Sequence, residues 1–179
     1  VTPALAAEGE CPAHPGDWVA PPDAMTRSLD AAEQAWFRFD TPCMQQHVAF
    51  AQALLGRYPT PISPELAARL HRNQAVASFL AREGEDPYAR PREAFAAARA
   101  IEPDYVLPGE LLSENHPLRG RYAEAADLDP APAPLSLPEG AQVMVDGAAA
   151  EQRPAGWACV LQYRLTADAA WSSAYLWST

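Results

Sequence analysis

The 179-residue chain is predicted to be an α+β protein, with helical hairpins in its N-terminal part and a small antiparallel β-sandwich at its C-terminal end. Three observations carry that prediction. Apolar residues recur at helical spacing from residue 28 to about 101, an alternating Pro/Ala run interrupts the chain at 129–134, and beyond it the apolar period falls to two. The expected division is an extended arm over 1–21, a helical domain over 22–128, a linker over 129–134 and a β-domain over 135–179.

The arm has no period and much Pro and Gly, and Trp18 and Cys11 are its expected anchors. From Ser28, Leu29, Ala32, Ala35, Trp36 and Phe39 fall on one helical stripe. Asp40-Thr41-Pro42 breaks that helix and starts another, because a capping carboxylate followed by proline suits a first turn. The second helix, over 42–57, carries Val48, Ala51, Leu54 and Leu55 on one face. After a proline connector, Ser63-Pro64-Glu65 is a third start, and Leu66, Leu70, Ala77 and Leu80 form the stripe that follows. Gly84 is its expected stop. A fourth helix begins between Asp86 and Pro91 and runs to about Ile101, with Pro91 tolerable only near its start. Asn115-His116-Pro117-Leu118 marks a short fifth helix.

The third and fourth helices, 66–105 with their connection, resemble a tetratricopeptide repeat. Phe95, Ala98, Ile101 and Pro103 match its second-helix positions, and Ala77, Leu80 and Gly84 match its first. The two halves are out of step by two residues, which implies an insertion in the turn, and Asn73 stands near the place of the usual tryptophan. Residues 28–57 read as a more diverged copy. The resemblance implies stacked helical pairs whose open ends must be covered.

Asp129-Pro130-Ala131-Pro132-Ala133-Pro134 reads as a stiff extended linker. Four short strands are expected beyond it, at 135–137, 142–145, 157–165 and 171–177, with Asp146-Gly147 as a turn. The run from Leu137 to Gly147, LPEGAQVMVDG, resembles the PEGA module, a small β-sandwich of prokaryotic surface and envelope proteins. That resemblance implies an accessory binding or spacer domain.

Net charge is −10 and all 13 basic residues are arginine, so no basic stripe is available to neutralise phosphates. Nucleic acid and anionic membrane surfaces are therefore disfavoured partners. No apolar run approaches the roughly 20 residues of a membrane span. Abundant Ala, Arg and Pro without lysine read as a GC-rich bacterial coding bias. Val1 in place of Met, with Ala4-Leu5-Ala6 like the small-x-small pattern of a signal-peptidase site, raises the expectation of an exported protein, in the periplasm, at the cell surface or outside the cell.

Cys11 and Cys43 flank the first helical segment, and a bridge between them would tie the arm to the helices. The alternative is two buried thiols. Cys159, inside an apolar run, is the expected free buried thiol. His14, His47, His71 and His116 are scattered, and neither Cys43 with His47 nor Cys11 with His14 makes a metal-ligand constellation. The acidic turn at 83–86 is explained by solvation and helix N-terminal charge. Nucleophile elbows, phosphate loops and cysteine-protease contexts are absent from the sequence. Neither an enzyme nor a metal or cofactor is expected.

Trp157, Tyr163, Trp171, Tyr175 and Trp177 crowd into the last strands. Such residues usually build the core of a small sheet; exposed, Trp171, Tyr175 and Trp177 would be a partner-binding edge. The expected function is a non-enzymatic protein-interaction or structural subunit of a bacterial envelope or extracellular assembly, with other subunits or further copies of itself as partners. The alternative is a carbohydrate-binding accessory protein that uses the same aromatics as stacking platforms.

Overall fold

A computed structural model describes residues 11, 21–82 and 85–178. The arm with Trp18 and the expected helix stop at Gly84 lie outside the described residues, apart from Cys11 and Pro21. The architecture is α+β, helices first and strands last, with both sheets antiparallel.

Local chemistry accounts for the helix boundaries. Helix α1 spans Ala24–Phe37 and α2 spans Thr41–Leu54, followed by a 3-10 turn at Leu55–Arg57. Between them, the Asp40 carboxylate caps α2 by accepting the Cys43 N–H at 3.3 Å. Helix α3, Pro64–Ala81, is capped by the Ser63 hydroxyl, which accepts the Leu66 N–H at 3.2 Å. It ends with Arg82 in the left-handed region at φ 52°. Helix α4 is Ala89–Ile101, with Pro91 in its first turn, and α5 is Pro117–Glu124, capped by His116.

Helix α3 is the centre of the molecule. It packs on α1, α2 and α4, and every residue from Leu70 to Ser78 is buried. Five of those nine are polar, and each has a partner. His71 reaches the sheet. Arg72 pairs with Glu102 and lies over the Tyr105 ring. Asn73 donates to Glu33, Gln74 to Gln52, and Ser78 to the Ala75 carbonyl. Burial of polar groups is tolerated here because each retains a hydrogen bond.

The strands are β1 (Pro132–Pro134), β2 (Gln142–Val145), β3 (Ala148–Ala149), β4 (Gln152–Pro154), β5 (Cys159–Arg164) and β6 (Ser172–Leu176). Four of them form a sheet in the order β3-β2-β5-β6, and β1 pairs with β4 in a separate ribbon. The strand expected at 135–137 is not formed. Residues 129–134 are not the uniformly extended linker expected: Ala131 lies in the left-handed region at φ 45°, and 132–134 are themselves strand β1, with Ala133 opposite Arg153. Proline has no N–H for a ladder and is confined to edges; here the alternating alanine sits between two prolines on a two-stranded ribbon, where both strands are edges.

One face of the four-stranded sheet lies on the helices. Val160 and Tyr175 share a core with Leu29, Leu54, Ile62 and Leu70, so the β-region completes the helical core. The opposite face carries a smaller cluster of Val143, Val145 and Cys159, partly covered by Leu135 and Ala150. The Asp146-Gly147 turn joins β2 to β3 with both residues at positive φ, 52° and 80°, as a tight hairpin requires. A Cβ on Gly147 would stand 2.6 Å from the Pro64 nitrogen, so only glycine lets this turn seat against the start of α3.

Candidate functional site

The chemistry-bearing residues that the fold assembles lie at the junction of helix and sheet. His71, from the middle of α3, is fully buried, and its two ring nitrogens meet two different strand regions. Nδ1 is 2.8 Å from the Tyr175 hydroxyl of β6, and Nε2 is 2.9 Å from Asp146 Oδ1 in the β2–β3 turn. That same Asp146 oxygen accepts the Val160 N–H at 2.7 Å. Burial first, and then the Asp146 charge, raise the Tyr175 hydroxyl well above its ordinary pKa, so it keeps its proton. With its proton in place Tyr175 can donate to Nδ1, and Nε2–H faces the Asp146 carboxylate, which can only accept.

This Asp–His–Tyr chain has the order of a proton relay, but its tyrosine end is sealed in the core. Tyr175 is only 9% exposed and packs between His71 and Trp177. Beside it, buried Gln162 accepts the Ile62 N–H at 2.9 Å and donates to the Ser173 hydroxyl at 2.9 Å. Together these bonds join the two layers. Cys159 is a buried free thiol whose pKa burial pushes up to about 12, so it is protonated and a poor nucleophile.

The aromatics expected to form a binding edge are not on one open face. Tyr175 belongs to the core, and Trp177 packs against both helical clusters beneath Arg90. Trp171, at the start of the last strand region, is half-buried with the Arg164 guanidinium 5.1 Å from its ring. On the last strand Tyr175 points at α3. Cys11 and Cys43 stand at disulfide distance, with Cα atoms 5.0 Å apart, which ties residue 11 to the start of α2. Among the described residues, no group of three or more His, Cys, Asp or Glu side chains is placed to hold a metal ion, and no helix is long and apolar enough to cross a membrane.

A different surface carries the unexplained features. Helix α1 ends in a left-handed turn: the Phe39 N–H donates to Trp36 O and the Asp40 N–H to Ala35 O, both at 2.9 Å. The left-handed residue is Phe39, at φ 59°, where glycine is the usual occupant. Its ring is 91% exposed. Phe37, 49% exposed, lines a cavity of about 330 Å³ with Glu33, Arg69, Arg72, Tyr105, Pro108 and Leu111. Val106, next to Tyr105, is 79% exposed. The indole of Trp36 fixes the far wall by donating to the Leu111 carbonyl at 2.6 Å. Arg69 is held by Glu33 at 2.8 Å and Asp30 at 2.5 Å, and the Glu33 bond raises its pKa most.

The sequence places Phe39 on the apolar stripe of the first helix, but α1 ends at Phe37 and leaves that ring exposed; Phe37 and Val106 are not singled out by the sequence pattern. The available signal was Phe37-Arg38-Phe39-Asp40 at a helix end, where the apolar stripe has no further turn to pack against.

Comparison of the chain with protein-family models, with curated proteins and with solved structures finds no match.

Proposed function

We propose that this protein is a non-enzymatic protein-interaction or structural subunit, exported to the bacterial envelope or beyond, and that it docks through the Phe37–Phe39–Val106 corner. The observation that carries the proposal is Phe39. A non-glycine residue held left-handed costs about 1 kcal/mol or more, and exposing the ring forgoes the burial that a phenylalanine normally gains. Neither cost helps this chain to fold, and a partner that buries the ring would offset both. Phe37 lining a cavity with ion-paired arginines, two residues from the exposed Phe39, has the composition of an interaction hot spot.

Three further features support the reading. The α1–α2 and α3–α4 pairs succeed one another with α3 packed on α2, the arrangement expected of tetratricopeptide-like stacking. The buried polar groups around His71 are accounted for by joining two layers, which supports a structural role for them. The Cys11–Cys43 pair fits an oxidising compartment.

The test is native assembly state in the source cell, by native mass spectrometry of the affinity-purified chain and of an F37S/F39G/V106S variant. A defined complex, homomeric or heteromeric, that is lost in the variant is the expected result. An unchanged complex would place the interface elsewhere. Retention of the chain on surface polysaccharide, undiminished in the variant, would favour the carbohydrate-binding alternative.

A further inference from the structure

A second cavity, remote in function from the Phe39 corner, lies where the β1–β4 ribbon meets the helices. Its volume is about 450 Å³, within the size range of small-molecule sites. The walls are mostly apolar: Ile101 at the end of α4, Pro64 at the start of α3, Val145, and Trp157. Two residues of opposite charge, Asp146 and Arg153, are also among the lining.

The walls are set before any ligand arrives. A Cβ on Gly147 would collide with the backbone at Pro64, and one on Gly156 would stand 2.1 Å from the Asp129 carbonyl oxygen. These two close approaches fix the turn against α3 and the ribbon end against the segment at Pro130. The charges are held as well. Asp146 takes its hydrogen bonds from His71 and the Val160 N–H through Oδ1, so Oδ2 still has lone pairs to offer. Arg153 is steadied by its bond from Nη1 to the Pro154 carbonyl at 3.1 Å, and pairs with no carboxylate among the described residues. A fixed carboxylate and a guanidinium in an apolar cleft are complementary to a molecule that is itself dipolar with an apolar body.

We propose that this cleft binds a small apolar zwitterion of the amino-acid or dipeptide class. The ligand ammonium donates to Asp146 Oδ2, the ligand carboxylate accepts from Arg153, and the side chain packs on Ile101, Val145 and Trp157. The site is independent of the docking corner, so either assignment can fail without the other.

The probe is L-leucyl-L-leucine, titrated calorimetrically into the full chain with Cys11 and Cys43 oxidised. Saturable binding is expected, weakened about tenfold or more when the amine is acetylated and again when the carboxylate is amidated. R153Q should remove the penalty for amidation, and D146N the penalty for acetylation. Because Asp146 also anchors His71, A100F is the decisive variant: Ala100 is an exposed helix residue lining the cleft, and a phenyl ring there fills it without touching the core. A folded A100F chain should lose binding. Absence of saturable binding to the wild-type chain, equal binding of the doubly capped dipeptide, or undiminished binding to A100F would each overturn the proposal.

Discussion

The His71 junction and the Phe39 corner treat polar and apolar groups in opposite ways. At the junction, a histidine, a tyrosine and a glutamine are withdrawn from water, and each recovers hydrogen bonds inside the protein, in part from the half-buried Asp146. At the corner, among the described residues, Phe39 and Val106 are largely exposed and Phe37 is half-exposed. Folding stability explains the first arrangement and is diminished by the second. A buried polar network of this kind therefore points to architecture, and an uncovered aromatic on a strained backbone points to something outside the chain.

Breaking the junction should have the largest effect. H71A removes a fully buried ring, opens a cavity and strands both the Tyr175 hydroxyl and Asp146, at a cost of about 4 kcal/mol in denaturant unfolding. Y175F loses a single bond and should cost only about 1 kcal/mol. If the two variants were equally mild, the bonds between the layers would not be what holds them together. C43S releases residue 11 from α2 and should lower stability by about 3 kcal/mol, measured against the oxidised wild type. Equal stability of reduced and oxidised chains would remove that cross-link from the account.

F39G sharpens the contrast because it should move stability the other way. Glycine relieves the left-handed strain, so the melting temperature should stay level or rise, by up to about 1 kcal/mol in stability, while partner binding falls. A destabilised F39G would show that the ring has a folding role after all.

The smallest effect is a pH slope. Burial lowers the pKa of His47 and of His116, with Arg38 adding to the effect on His47. Below the ordinary value of 6.5 the unfolded chain takes up these protons before the folded chain does. Stability should therefore decline as pH falls below about 6.5 and show no such contribution above it. In H47Q/H116Q that part of the slope, followed by urea titration at several pH values, should flatten.

Much of the fold was legible because its signals are local. Asp40, Ser63 with Pro64, Pro91 near a helix start and Asp146-Gly147 each act within a few residues, and each sits where the sequence places it. The burial of His71, Arg72, Asn73, Gln74 and Ser78 was not legible. Their partners come from distant parts of the chain: Tyr175 is 104 residues from His71, and Glu33 is 40 from Asn73. In sequence, a run of histidine, arginine, asparagine and glutamine looks like a solvated helix face. Strand β1 was hidden for a related reason, since proline argues against a ladder unless a second edge strand happens to lie alongside. At the candidate site, residue types left Tyr175 open to two readings, a sheet-core aromatic or a binding one. The tertiary fold turned it inward, and it left Phe39 outside because the helix ends there.

The most direct test of the docking corner is photo-crosslinking in cells of the source organism. p-Benzoylphenylalanine is placed at position 39 in one chain and at position 165, an exposed leucine on the β-region, in another. A discrete protein adduct from position 39, lost when F37S and V106S are added and absent from position 165, is the predicted result. No adduct from position 39, together with a discrete one from position 165, would contradict the assignment.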